Sequence, residues 1–448
     1  MSKFRLKSTK IGSKTISVYG LGNVGGPIAA AWIKADFTVI GVDISKKLLT
    51  EIKKGTSHKK ELYVSKILSY GIQTKRFFLT SDGVSASKKS NIKIIAVSVG
   101  LKQNKIDLRN LILVATDISK GLKKGDAVII CPSIPPGTTE KIILPILEKN
   151  SKLKAEHDFY LIYNPERIYE GRALQDIEEN YPAIVAGLGS KSLKFAEQLM
   201  SLISKKGVIV LSTIATAEAE KLFEGVYRDV NIALANELAN FCEGAGVDYW
   251  EARSAANSQP FCHLHYPGTG VGGLCIPVYP KFIIETASAL GKSVKMIEFA
   301  RKINDLMPKK CVNSAINLLT KNKIRLKGSK IAILGLGFRG EVVDSRLSPT
   351  YSVVNEFLKN GCKVSVHDPY ILEDNSLPKS VKLSNDLNTV VADANLIFIS
   401  TEHKKYSKLN KKNFIKAKKP LLIFDGRNIL NKNKFNHNCL MTIGIGIR

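Results

Sequence analysis

Acidic residues are scarce: 39 Asp and Glu stand against 67 Lys and Arg in 448 residues, a formal charge of +28. Aromatic residues make up only 7%, with two tryptophans, so few base-stacking platforms of the kind single-stranded nucleic acid needs can be present. Cysteines are few, odd in number and scattered: Cys131, Cys242, Cys262, Cys275, Cys311, Cys362 and Cys439 include no C-x-x-C pair. That spacing argues against a disulfide framework or a zinc site and favours a reducing cytoplasm; no metal is expected. Long apolar runs are also missing. The basic start Met1–Lys14 followed by Ile16–Ile33 has the outline of a signal peptide, but Gly20, Gly22, Gly25, Gly26 and Pro27 interrupt it and make it strand, turn and helix instead.

The positive charge is uneven. Ser212–Asp305 carries eight Lys and Arg against eleven Asp and Glu, net −3, whereas Thr401–Arg448 carries twelve against two, net +10. A peripheral lysine excess interleaved with Asn and Ser describes a solvated surface, so neither nucleic acid nor a membrane is expected as a partner. Hydrophobic residues amount to 44%, enough for two to four domains with cores of their own.

Two segments begin alike. Lys14-Thr-Ile-Ser-Val-Tyr leads into Gly20-Leu-Gly22-Asn23-Val24-Gly25, and Lys330-Ile-Ala-Ile-Leu leads into Gly335-Leu-Gly337-Phe338-Arg339-Gly340. Each is an apolar, β-rich run feeding a G-x-G-x-x-G turn. Further parallel strands are expected at Val39–Val42, Ile92–Val99, Ala127–Cys131, Phe159–Tyr163, Ala183–Ala186 and Val208–Leu211, then at Lys363–Val366, Leu396–Ser400 and Leu421–Phe424. Between the two sets, Thr216–Glu243 has Leu222, Phe223, Val226, Val230, Ala233, Leu234, Leu238 and Phe241 at helical spacing, with Gly244-Ala-Gly246 as its stop. The predicted architecture is α/β: two Rossmann-like doubly wound parallel-sheet domains joined by a central helical domain with a long helix. The divisions fall at 1–211, 212–320 and 321–448, with Lys321–Lys327 as a connector.

The first glycine motif has the context of a dinucleotide site. Small residues open its helix, and Asp43 lies eighteen residues beyond Gly25, at the end of the next strand. Glycines there let backbone N–H groups approach a pyrophosphate at the helix N-terminus, and the acid accepts hydrogen bonds from the adenosine ribose, which favours NAD over NADP. The second motif is altered. From Gly340 to the acid Asp368 is twenty-eight residues, and Glu341-Val-Val-Asp344-Ser-Arg346-Leu-Ser348-Pro349 fills the difference. Ser348-Pro349 reads as an N-cap and first-turn proline, so the helix starts after the insertion and a second ordinary NAD site is not expected. Arg339 and Arg346 are placed to hold phosphates.

Cys275 stands apart from the other cysteines. It sits in Pro267-Gly268-Thr-Gly270-Val-Gly272-Gly273-Leu-Cys275-Ile-Pro277, a loop that can approach a ligand closely and leave N–H groups for an oxyanion. Cys131, Cys242, Cys311 and Cys362 read as small buried hydrophobes. Lys221, among Leu222, Phe223 and Val226, is either partly desolvated or an ordinary exposed helical lysine. Glu166 and Glu170 follow one strand and Ser133 another, and the carboxyl ends of strands are where open α/β sheets place their chemistry.

These motifs, with Arg228-Asp-Val-Asn-Ile-Ala-Leu-Ala-Asn-Glu237 and the closing Asp425-Gly-Arg-Asn428 and Gly444-Ile-Gly446, resemble the UDP-glucose/GDP-mannose 6-dehydrogenase family over the whole chain, most of all its UDP-N-acetylmannosamine branch. The resemblance implies an N-terminal NAD domain, a central helical domain with a homodimer interface, and a C-terminal domain for the nucleotide of a UDP-sugar. It implies two NAD-dependent oxidations, alcohol to aldehyde to acid, through a cysteine thiohemiacetal and thioester, in polysaccharide biosynthesis. It assigns Cys275 as nucleophile, Lys221 to the oxyanion and alcohol, Glu170 to the hydrolytic water, and Glu166 and Ser133 to the catalytic surroundings. Gly20, Gly22, Asn23, Val24, Gly25, Asp43, Ser98, Ser133 and Arg346 are implied for the cofactor, and Arg167, Ile168, Lys221, Arg228, Gly272, Phe338 and Arg339 for the substrate.

The chain departs from that pattern at five places. Gly225 replaces an asparagine four residues after Lys221, and Tyr279 an aspartate four residues after Cys275. Leu274 replaces a histidine, Phe261 an arginine, and Ser98-Val-Gly100 an x-Thr-Pro. The alternative expectation is therefore a member that binds NAD and a nucleotide sugar with an altered substrate or weak catalysis.

Overall fold

The computed structural model describes residues 14–58, 61–431, 435 and 440–442. Cys439 and Gly444-Ile-Gly446 lie outside the described residues. The chain forms two compact units, one up to Glu224 and one from Gly225.

The first unit is built on eight strands: β1 (Thr15–Tyr19), β2 (Thr38–Val42), β3 (Phe77–Thr80), β4 (Ile92–Ile95), β5 (Ala127–Ile130), β6 (Tyr160–Tyr163), β7 (Ala183–Gly187) and β8 (Val208–Val210). Their order is β8-β7-β6-β5-β4-β1-β2-β3, so the chain turns back between β3 and β4 and leaves a switch point beside β1. Most strands are Val- and Ile-rich because both faces are covered. Ile16, Val18 and Ile94 pack on one side with Ala29, Trp32 and Ile33. Tyr19, Ile95, Ile130 and Tyr163 pack on the other with Leu111, Ala115 and Ile118. Helix α1 (Gly25–Lys34) is buried from Gly25 to Ile33; its run of three alanines lets it lie close to the sheet.

Two strands run the other way. The segment expected as a further parallel strand at Ala183–Ala186 pairs antiparallel with β6, and β8 runs parallel to it, so the strand expected at Val208–Leu211 is also reversed against the rest of the sheet. The chain between Tyr163 and Ala183 contains only the helical turn Ala173–Gln175 and the wide turn Asp176–Asn180, with no helix to carry it back along the sheet as a parallel crossover requires. The helix Ser190–Met200 supplies such a crossover between β7 and β8.

Helix α2 (Ile214–Ala245) covers the expected long helix and extends it at both ends. Its apolar residues divide between two faces. Leu222 and Ala233 are buried, whereas Phe223, Tyr227, Leu234 and Phe241 are exposed. In the second unit α3 (Tyr249–Ala256), α4 (Tyr279–Ala289) and α5 (Lys295–Lys321) follow. Ala235, Ala239 and Cys242 of α2 share a core with Met307, Cys311 and Val312 of α5.

That core continues under a six-stranded parallel sheet of β9 (Lys330–Leu334), β10 (Lys363–His367), β11 (Lys382–Ser384), β12 (Leu396–Ile399), β13 (Ile423–Asp425) and β14 (Leu440–Thr442). The order is β11-β10-β9-β12-β13-β14, again with a switch beside the first strand. Helix α6 (Pro349–Lys359) starts after the insertion, where Ser348 Oγ accepts the Thr350 N–H at 3.2 Å.

Candidate active site

The first glycine turn follows β1. Gly20 adopts φ +88°, and a Cβ on Gly25 would lie 1.7 Å from the Gly20 carbonyl oxygen; both glycines serve the backbone. Gly22 differs, since nothing lies within 4 Å of where its Cβ would be. That open space adjoins the N-terminus of α1, whose N-cap Val24 offers no side-chain cap; the Gly26 N–H donates to the Gly22 carbonyl at 3.0 Å, and the partially positive end of the helix suits a pyrophosphate. Asn23 is exposed and Val24 half-buried beside it. Asp43 Oδ2 accepts the Leu21 N–H and Oδ1 the Ser45 N–H, each at 2.8 Å, which fixes the carboxylate while leaving lone pairs for a ribose. The residues therefore fit NAD. Ser98 lies exposed beyond β4. Sequence reasoning did not single out His58, whose Nε2 lies 3.0 Å from the Leu21 oxygen and 3.2 Å from that of Gly22.

Carboxylates and cations collect beyond β5 and β6. Glu166 lines a small cavity with Ile28, Trp32, Ile94, Ile129 and Cys131. Burial pushes its carboxyl up to about 7 although Lys221 and Arg167 pull the other way. Lys221 Nζ meets Glu224 Oε2 at 3.1 Å, and its side chain is only 12% exposed, which decides between the two readings of this lysine in favour of desolvation. Arg167 lies 3.7 Å from Glu224, donates to the Pro182 carbonyl at 2.5 Å and faces the Tyr181 ring. Ile168 packs against the sheet's core, and Glu170 is half-buried in the following turn. Burial pushes the Cys131 thiol far up, as suits a small buried hydrophobe.

Ser133 sits half-buried in the loop after β5. This loop is tied down by a residue the sequence did not flag: Glu218, in the first turns of α2, accepts the N–H groups of Gly137 and Thr139 at 2.5 and 2.9 Å. Burial pushes Glu218 up to about 7 against those two bonds.

In the second unit Cys275 is exposed, at the end of its glycine loop. Several of the loop's glycines serve close packing, and not all its N–H groups are free for an oxyanion. A Cβ on Gly272 would lie 2.6 Å from the Leu347 oxygen and 2.7 Å from Phe338 Cβ. The Gly273 N–H donates to the Arg346 carbonyl at 3.0 Å and the Gly268 N–H to Asn236 at 2.9 Å. The loop is thus bound to the inserted segment of the second glycine motif. Phe338 lies against Gly272 and Gly273 with Arg339 next to it, and Arg346 holds Asp344 through Nε and Nη2 at 2.9 and 2.5 Å. Arg228 is exposed on α2, and Phe261 is 92% exposed.

Tyr279 O–H donates to Cys275 Sγ at 3.2 Å, and a Cβ on Gly225 would lie 2.5 Å from the Tyr279 ring.

The second motif's acid is used up internally. Asp368 is fully buried and accepts N–H groups from Leu336, Gly337, Tyr370 and Ile371 at 2.8–3.0 Å, with His403 Nε2 3.3 Å away. Burial raises its pKa, but the bonds from His403, Gly337 and Tyr370 outweigh it and hold the group at about 2. Among the described residues, no group of three His, Cys, Asp or Glu could hold a metal ion, and no helix is long and apolar enough to cross a membrane.

A doubly wound sheet with a glycine turn open at a helix N-terminus defines a dinucleotide-binding protein. More particularly, the chain belongs to the UDP-glucose/GDP-mannose dehydrogenase family: residues 14–205 match its NAD binding domain, 215–306 its central domain and 332–432 its UDP binding domain. It is 34% identical over 418 residues to a UDP-N-acetyl-D-mannosamine dehydrogenase of Pyrococcus horikoshii, covering 93% of this chain and 96% of the relative. A solved UDP-D-ManNAc dehydrogenase from the same organism superposes with a TM-score of 0.89 at 32% identity, over 96% of this chain and 99% of that one. An NDP-N-acetyl-D-galactosaminuronic acid dehydrogenase of Methanosarcina mazei superposes with a TM-score of 0.84 at 30% identity, over 98% and 96%. The chain is an NAD-dependent oxidoreductase of this family.

Proposed function

We propose that the protein oxidises a UDP-hexosamine, with UDP-N-acetylmannosamine as the leading candidate, to the uronic acid in two successive steps. The observation that carries this reading is the exposed Cys275 thiol on a loop bound to the insertion that bears Arg346. Relatives named for UDP-N-acetylmannosamine support the substrate.

NAD, when bound, supplies the oxidising power for both steps, one equivalent each. Gly22, the α1 N-terminus and Asp43 would bind and orient it, with Asn23, Val24, Ser98 and Ser133 beside them, and Arg346 is assigned to the cofactor as well. Lys221, largely desolvated, stabilises the alkoxide as the sugar alcohol loses its proton, and loss of a hydride from the carbon that bears this oxygen leaves the aldehyde. Cys275 sulfur then adds to the aldehyde carbon, and the carbonyl oxygen takes a proton to give a thiohemiacetal. Loss of two electrons and two protons turns this into a thioester. Water adds, the C–S bond breaks, and the free acid and Cys275 thiol are released. Glu166, held near 7, is poised to move protons close to neutral pH, and Glu170 activates the hydrolytic water. Arg167, Ile168, Arg228, Gly272, Phe338 and Arg339 hold the substrate.

We assign residues 1–211 to NAD, 212–320 to the catalytic lysine, cysteine loop and dimerisation, and 321–448 to the UDP moiety. The exposed Phe223, Tyr227, Leu234 and Phe241 on α2 support a homodimer through this helix. The scattered cysteines support a cytoplasmic enzyme, and the acid product suits polysaccharide biosynthesis. A second reading, NAD and sugar binding with altered substrate or weak turnover, is favoured by Gly225 and Tyr279.

The test is incubation of the purified protein with NAD and a panel of UDP- and GDP-sugars. Two NADH per sugar, abolished by Cys275→Ser, is the expected result. Thermal stabilisation by both ligands without turnover supports the second reading, and no response to any nucleotide sugar overturns both.

A further inference from the structure

We propose that Tyr279 is a catalytic residue of this chain that holds the Cys275 sulfur and favours its thiolate, and that Gly225 is glycine to admit the Tyr279 ring. The proposal rests on the reading of Cys275 as nucleophile. Tyr279 grips Cys275 at two points, its N–H donating to the Cys275 carbonyl at 2.9 Å and its O–H to Sγ at 3.2 Å. As the first residue of α4, Tyr279 is fixed by the helix it begins. The residue is 7% exposed, so its ring is buried and its hydroxyl reaches the sulfur of an exposed residue.

The ring's place exists only because position 225 has no side chain. A Cβ there would lie 2.5 Å from Tyr279 Cδ2 and 3.2 Å from its Cβ and Cγ. Ring atoms so near their own backbone cannot swing aside as the tip of a flexible chain would. Gly225 and Tyr279, which look like two losses of polar groups in the sequence, are one arrangement: two short polar side chains give way to one phenol. An O–H donated to sulfur favours the anion over the thiol, and the thiolate is the form that attacks a carbonyl.

The experiment uses the full-length protein, with iodoacetamide alkylation of Cys275 followed by mass spectrometry from about pH 6 to pH 10. Tyr279→Phe keeps the ring and removes the donor. The expected result is alkylation about threefold slower near neutral pH, the smaller thiolate fraction being partly offset by a more nucleophilic sulfur, with the profile moved to higher pH by about one unit and the melting temperature little changed. Superposable profiles overturn the role in activation. The glycine link is read separately by a thermal double-mutant cycle. Gly225→Ala is expected to lower the melting temperature beside Tyr279 and to raise it beside Tyr279→Ala, because alanine is the better helix residue. Additive shifts overturn the link. Neither readout needs turnover, so inactivity on every sugar would overturn the reaction at Cys275, while the role of Tyr279 stands or falls on alkylation and melting.

Discussion

Glu218 accepts the backbone N–H of Thr139 at 2.9 Å and, through its other oxygen, that of Gly137 at 2.5 Å. A carboxylate in the first turns of α2 thereby sets the loop that carries Ser133. Glu218→Ala leaves two buried N–H groups without a protein acceptor. We expect a loss of about 2–4 kcal/mol in urea unfolding, with Glu218→Gln, which keeps one acceptor oxygen, losing about half as much. Equal stability in all three proteins would show that the bridge is dispensable.

The glycines of the first turn separate stability from binding. Gly22→Ala places its methyl in open space, so the fold should change by less than about 0.5 kcal/mol. NAD affinity should fall at least about tenfold, by calorimetry, because the methyl enters the pyrophosphate's space. Gly25→Ala, by contrast, drives a carbon into the Gly20 carbonyl and should lower the melting temperature outright. Unchanged NAD affinity in Gly22→Ala would refute this assignment.

Asp368 predicts the cofactor stoichiometry. With its oxygens bound to four backbone N–H groups and His403 close by, it has nothing left for a ribose, so titration should give one NAD per chain. Its pKa is depressed from 3.8 to about 2, so its stabilisation is present above about pH 4 and is lost as pH falls towards 2. Asp368→Asn should cost about 3 kcal/mol at neutral pH and leave NAD affinity unaltered.

Glu166 and Glu218 act in the opposite sense. Their carboxyls are raised from 4.5 to about 7, chiefly by burial. Between those values the folded protein keeps protons that the unfolded chain gives up, so stability falls as pH rises from about 4.5 through 7. Glu166→Gln removes one of the two contributions, and the fall in urea midpoint between about pH 5 and pH 7.5 should be shallower than in the parent. An identical slope would show that the Glu166 carboxyl is solvated.

Much of the architecture is readable from residues alone, because apolar runs bounded by glycine turns have few alternatives. Ser348-Pro349 places the start of α6 correctly for the same local reason. What escapes is non-local. The reversal of β7 depends on how the chain between Tyr163 and Ala183 is used, and Val and Ile carry no sign of strand direction. Glu218 and His58 touch backbone remote in sequence, so nothing in their own neighbourhoods marks them. Lys221 is legible as a candidate, but its desolvation comes from the packing around it. Tyr279 reads as the absence of an aspartate until its hydroxyl is seen on the sulfur.

The clash between a side chain at position 225 and the ring at 279 also orders the mutational paths open to this chain. Glycine has to be in place before tyrosine can arrive, and tyrosine has to leave before any larger residue can return at 225. Single-site libraries screened in this background will therefore score position 225 as intolerant, although the intolerance belongs to position 279. Only paired libraries would reach an asparagine at 225 together with an aspartate at 279.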